Sequence, residues 1–179
     1  MRPGLEPVLC TQCGLCCDGS LFADVELVGQ AEAMRLEIMG LEVEEDGTVP
    51  GLLSQPCAAL REKRCGIYVY RPTCCRTFEC QLLQDAQRGA VTVERATAQI
   101  VEALKRIRRV RELLVQMGHR GVHLPLRERC AEALAGEASA SGEANRKRAE
   151  LKTAMSAAES LLWRKFLGSG GRRRGPDRR

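Results

Sequence analysis

Residues 10–17 read CTQCGLCC, placing Cys10, Cys13, Cys16 and Cys17 within eight positions, the last two adjacent. Thiols this dense are cross-linked to one another, hold a metal, or stand ready to react. Cys10-x2-Cys13-Gly14 has the form of a metal knuckle. Two thiolates separated by two residues grip one ion while the intervening amides turn toward the sulfurs, and Gly14 supplies the positive φ that the following turn favours. Cys16 extends the run to C-x2-C-x2-C, similar to the three-ligand run of iron–sulfur ferredoxins, in which a distant cysteine completes the cluster.

Working outward, Cys57, Cys65, Cys74, Cys75 and Cys80 supply more than enough thiols to complete such a site. Two readings follow: two four-ligand sites, or one cluster with spare thiols. Cys17 points away from its neighbour Cys16, so it serves a second centre or stays unbonded. Cys75 and Cys80 would be about 140° apart on a regular helix and could not share an ion from one face. Either the chain is irregular until about Thr77, or the two serve different centres. A helix beginning near Pro72 would favour thiolates at its positive end. Four thiolates around a divalent ion leave about −2 of charge. Arg71 and Arg76, set between the cysteines, are placed to compensate it, whereas Arg61, Lys63 and Arg64 lie in REKR, which reads as an exposed, solvated turn.

Nine of the ten cysteines fall in the first 80 residues of a 179-residue chain, and this divides it. The predicted fold is mainly α with small irregular or short-β elements: a cysteine-rich, metal-organised domain over 1–88, a helical extension over 89–167, and a disordered basic tail over 168–179. In the first part, ADVELVGQAEAMRLEIMG carries apolar residues at near-helical spacing and predicts a helix from an N-cap at Asp24 to a stop at Gly40. LEVEEDGTVPGLL carries a hairpin-turn signal, Asp46-Gly47, weakened by Pro50. CAALREKRCGIYVY reads as two short extended pieces around a charged turn. In the second part, Val93, Ala96, Ile100, Leu104, Ile107, Val110, Leu114 and Met117 step by three and four along one amphipathic helix ending at Gly118. A short helix follows over Leu126 to Leu134, then a flexible GEASASGEA connection. A final amphipathic helix is marked by Leu151, Met155, Ala158, Leu162 and Phe166. Hydrophobic residues make up 44% of the chain but only six are aromatic, so the core is aliphatic.

The net charge of +5 is concentrated at one end: Arg172, Arg173, Arg174, Arg178 and Arg179 against Asp177 leave +1 for the other 171 residues. That tail could hold nucleic acid or an anionic surface weakly by counterion release. There is no apolar run of bilayer length and no secretory pattern at the start, so the expected location is the cytoplasm, where thiols stay reduced and read as ligands or reactive groups before disulfides.

C10-TQ-C13-G-L-C16-C17, then P56-C57, C65-G-I-Y68, R71-P72 and C75-R76-T-F78-E-C80 resemble the YkgJ-type cysteine-cluster proteins, a zinc- or iron-chelating CxxCxxCC family, over residues 10 to about 85. The resemblance implies metal ligation by Cys10, Cys13, Cys16, Cys17, Cys57, Cys65, Cys75 and Cys80. Cys74 is additional to its pattern and Cys130 lies outside it. Related cysteine patterns occur in flagellin lysine methylases, yet this chain carries no Gly-rich strand-to-helix motif for S-adenosylmethionine.

Lesser features have plainer readings. His119 and His123 fall in a Gly-containing surface connection. Glu42, Glu44, Glu45 and Asp46 form a solvated rim whose spacing fits no EF-hand loop. Cys130 reads as a small buried hydrophobe. Three functions stand: a metal-binding protein holding zinc or iron, an iron–sulfur cluster included; a redox or cluster-dependent protein-modifying enzyme; and a zinc-stabilised adaptor for nucleic acid or a partner protein.

Overall fold

The computed structural model of the chain describes residues 4–45, 47, 50–135 and 142–168. Asp46, most of the GEASASGEA connection, and the basic tail beyond Gly168 lie outside the described residues. The architecture is mainly α with five short strands among the described residues. Helix α1 spans Glu6–Cys13, with Pro7 in its first turn, and stops at Gly14, whose φ of 73° is left-handed. Cys10 and Cys13 therefore sit on a helix, not in an extended knuckle. Three residues apart, they share one face of α1.

The stretch from Asp24 to Gly40 corrects the sequence expectation of one helix. Asp24–Glu26 form strand β1, and helix α2 begins only at Gln30 and runs to Ile38. Val25 and Leu27 alternate inward as a strand requires: Val25 pairs with Leu53, and the Leu27 N–H donates to Gly51 O at 2.9 Å. Gly29, fully extended, then starts the helix, and Gly40 ends it as expected, with φ of 80°. Strands β2 (Val43–Glu44) and β3 (Leu52–Ser54) realise the predicted hairpin segment, and β3 lies between β1 and β2 in an antiparallel sheet. Leu27, Ala33, Leu36, Leu41, Leu53 and Ala59 form its small core.

Strands β4 (Leu60–Arg61) and β5 (Arg64–Cys65) form the predicted charged hairpin, whose Glu62 takes a positive φ of 56°. A single turn of 3-10 helix, Tyr68–Tyr70, leads into α3 (Thr73–Thr77) and then α4 (Gln81–Gln87). The long helix α5, Val93–Gln116, starts at Thr92, whose hydroxyl accepts from the Arg95 N–H at 3.3 Å, and ends before Gly118. Helix α6 spans Leu126–Ala135. Helix α7, Gly142–Leu162, absorbs the last three residues of the expected connection and passes into a π turn, Trp163–Leu167. Ile100, Ile107, Val110 and Leu114 of α5 meet Leu151, Leu162 and Phe166. The same cluster takes in Leu9 of α1, Leu15, and Leu82 and Leu83 of α4. The cysteine-bearing loop is thus seated on the helical core.

Candidate metal centre

All ten thiols are free, and nine of them lie between α1 and α4. Their electrostatic neighbourhoods divide eight of them into two sets. Cys13 feels Cys80 and Cys10, Cys16 feels Cys13, Cys80, Cys17 and Cys10, and Cys10 feels Cys80. Cys17 feels Cys57 and Cys65, Cys57 feels Cys65, and Cys75 feels Cys17 and Cys57. The sets meet at the adjacent Cys16 and Cys17, which also feel each other.

Local structure explains the division. Cys10 and Cys13 present one face of α1; the chain then turns at Gly14, with the Cys17 and Asp18 N–H groups donating to Gly14 O at 3.0 and 3.1 Å. A methyl group at Gly14 would stand 3.2 Å from the backbone of Lys63, so the β4–β5 hairpin packs directly against this turn. Cys80 ends the break between α3 and α4 and precedes the first residue of α4. Cys75 lies within α3. The two are therefore on separate elements: the chain is helical over Thr73–Thr77, where irregular backbone was one of the two expectations, and breaks only after Thr77.

In the second set, the Cys57 N–H donates to Cys17 O at 2.8 Å and to the buried Gln55 Oε1 at 3.1 Å, stitching the two cysteine stretches together. The β4–β5 register then delivers Cys65 opposite Leu60.

Burial pushes these thiols up. Cys10 rises to about 11 and Cys13 and Cys17 to about 12, with neighbouring sulfurs adding to the effect. Cys16 is raised well above its ordinary value for the same reasons. Opposing this, backbone amides favour the thiolate at several sulfurs: Leu15 at Cys13, Ala59 and Leu60 at Cys57, and Leu83 and Leu82 at Cys80, although burial still leaves all three raised. A hydrogen bond between the Cys74 and Cys75 side chains lowers Cys74 and raises Cys75.

The cations differ in what they reach. Arg71 lowers both Cys10 and Cys17, while its guanidinium stacks 3.8 Å over the Tyr68 ring and donates through Nη1 to Cys75 O at 3.5 Å. Arg76 is exposed and donates to Thr73 Oγ1 at 3.4 Å. Arg61, exposed in the hairpin, lowers Cys57. Phe22 and Phe78 pack edge to face at 5.0 Å between centroids. Cys130 is buried in α6 beside Arg129 and Glu159, apart from the other sulfurs. His123 is exposed and His119 half-buried in the connection after α5.

The donor set fits a thiophilic ion: thiols from distant stretches, amides favouring the thiolate, and an arginine facing both sets. Among the described residues, no three His, Cys, Asp or Glu side chains are drawn together as an ion would hold them. An ion binds thiolates, so ligation by these groups would displace their protons.

Sequence reasoning missed Glu32, a carboxylate 8% exposed that bonds across to Thr73. Its one signal is its place three residues after Gly29, where a helix-capping glutamate stands.

Comparison with known families gives one match. The model of the CxxCxxCC family, described as a "putative zinc- or iron-chelating domain", matches residues 9–107. No curated protein and no solved structure matches the chain.

Proposed function

The chain belongs to the CxxCxxCC family of zinc- or iron-chelating domains, and from that premise we propose that it holds two metal ions side by side. One is bound by Cys10, Cys13, Cys16 and Cys80, the other by Cys17, Cys57, Cys65 and Cys75. What supports this reading is that Cys10, Cys13, Cys16 and Cys80 from two distant stretches neighbour one another, as do Cys17, Cys57, Cys65 and Cys75, with Cys16 and Cys17 adjoining across the sets. Bound as thiolates, each set would fill a closed tetrahedral site for zinc or iron or the corners of an iron–sulfur cluster. Closed coordination leaves no open position for substrate, so the ions organise the fold and carry charge or electrons. Arg71 compensates charge at both ions, and Arg76 does so from farther out. The free thiols suit a reducing compartment, the cytoplasm being the expected one.

Metal analysis of protein purified under anaerobic conditions tests this. Two ions or clusters per chain are expected, with Cys16→Ser and Cys17→Ser each losing one and the double variant losing both. A chain that holds no zinc or iron at stoichiometric level overturns the reading.

Cys74 supports a second reading, a redox or cluster-dependent protein-modifying enzyme. It is a ninth thiol beside the second set whose ionisation its neighbour eases. Visible absorption that bleaches on reduction would favour that reading; a colourless zinc protein would set it aside.

A further inference from the structure

We infer that Glu32 is the positioning residue of the second ion. Its charge is felt at Cys74, beside the second set. This inference rests on the two-ion reading above. Helix α3 carries Cys75 but is only five residues long, and its own hydrogen bonds cannot fix its placement. Besides the Arg71 bond to Cys75 O, it is docked through the Glu32 carboxylate. Glu32 Oε1, from α2, accepts from the Thr73 N–H at 2.8 Å and from the Thr73 hydroxyl at 3.0 Å. Its other oxygen, Oε2, accepts from the Val28 N–H at 3.0 Å. One carboxylate therefore joins the first residue of α3 to the junction between β1 and α2, across 41 residues of sequence.

Glu32 is almost wholly buried, and Arg35, half-exposed, stands 3.7 Å from it. A buried carboxylate is tolerated only where donors meet it, and here the donors belong to the element that bears the ligand. Burial alone would raise Glu32, but the Val28 and Thr73 donors and Arg35 outweigh it and hold the carboxyl below its ordinary range. It is thus a charged acceptor at neutral pH.

Removing it leaves two donors of Thr73 and one of Val28 without their partner and frees α3 to shift. Cys75 moves with α3. Cys10, Cys13 and Cys16 are held by α1 and its following turn, and Cys80 by the start of α4, so the first set keeps its geometry. Loss of Glu32 therefore weakens one ion selectively, which a general structural defect would not do.

The experiment uses the full-length reduced protein, cobalt(II) and zinc(II) as probes, and competition against a chromophoric chelator, reading thiolate-to-cobalt absorption. Cys16→Ser chains isolate the second ion and Cys17→Ser chains isolate the first. In the former background Glu32→Ala is expected to weaken binding by about 10- to 100-fold, the range for removing a group that orients a metal ligand. In the latter it leaves affinity within about twofold of the parent on the argument that α1 and α4 are untouched. Glu32→Gln, which keeps an acceptor for Thr73, falls between. Should Glu32→Ala fail to fold, Thr73→Val, which removes only the hydroxyl donor, carries the test with a smaller loss at the second ion alone. Unchanged affinity at the second ion, or equal loss at both, overturns the inference. A wild-type chain that binds neither probe overturns the two-ion reading and this inference together.

Discussion

Individual residues carry the chemistry, and here the decisive ones are thiols held protonated by their surroundings. Cys10, Cys13 and Cys17 rise from 9.0 to about 11, 12 and 12, because burial and neighbouring sulfurs penalise the thiolate. A raised thiol pKa means that the folded, metal-free chain prefers the neutral form. Its contribution to stability is complete below about pH 9 and is lost as pH rises from 9 toward 12. Metal binding runs the other way, since each ion displaces the protons of its four ligands. Zinc affinity measured by chelator competition between pH 6 and 8 is expected to rise by about tenfold per pH unit for every proton displaced. Titration in weak buffer should register their release. Affinity flat with pH would show that protonated thiols are not the ligands. At this scale the sequence was legible where chemistry is local. The divergence of adjacent Cys16 and Cys17 follows from the backbone alone, and so does the need for glycine at position 14. Arg71 and Arg76 looked equivalent in the sequence, and only the fold turns Arg71 toward both sets while Arg76 reaches Thr73.

Secondary-structure elements were readable in proportion to their length and to how local their determinants are. Helix α5 announces itself because 24 residues repeat one apolar stripe and Gly118 marks its end, whereas its cap at Thr92 was seen only in the structure. The β1–α2 segment did not, since Val25, Val28, Met34 and Ile38 imitate that period. The strand is decided by pairing with Leu52–Ser54, far along the chain, and Ile38 is left 85% exposed. The approach of the β4–β5 hairpin to the Gly14 turn, on which the proposed division of the cysteines depends, was hidden for the same reason: no spacing rule expresses it. Because α5 presents one face to the core, neighbouring substitutions on it should differ sharply. Leu114 is fully buried and Val115 is 47% exposed. Leu114→Ala is expected to cost about 2–5 kcal/mol through the cavity it leaves, and Val115→Ala within about 0.5 kcal/mol. Denaturant unfolding of the metal-loaded protein, with the slope checked for constancy, measures both. Equal losses would mean that the helix is packed on both sides.

Across the whole molecule, two cores of unequal strength share the work of folding. The larger joins α1 and α4 to α5, α6, α7 and the π turn, with Leu9, Leu15, Leu113, Leu114, Leu151 and Phe166 buried together. The smaller has four leucines and two alanines to hold the three-stranded sheet and α2, and only partly covers Cys57. A cluster that small cannot order so much irregular chain by apolar burial alone, and on the two-ion reading ligation supplies what is missing. The larger core has no such need. Arg111 of α5 also reaches back to Asp18 Oδ2 at 2.9 Å and Ser20 Oγ at 3.2 Å, and the Leu126 N–H donates to Gly19 O at 2.9 Å, so the loop after Cys17 is tied to the helices independently of any ion. Chelation should therefore divide the chain along its cores, not at residue 88 where the cysteines thin out. With a strong chelator under reducing conditions, far-UV circular dichroism is expected to keep most of its helical signal. Hydrogen exchange should stay slow in α5, α7 and the last turn of α1, while β1 to β5, α2 and α3 lose their protection. Collapse of the entire helical signal would mean that the ions hold the large core as well. Unchanged protection in the sheet would mean that its six buried residues suffice.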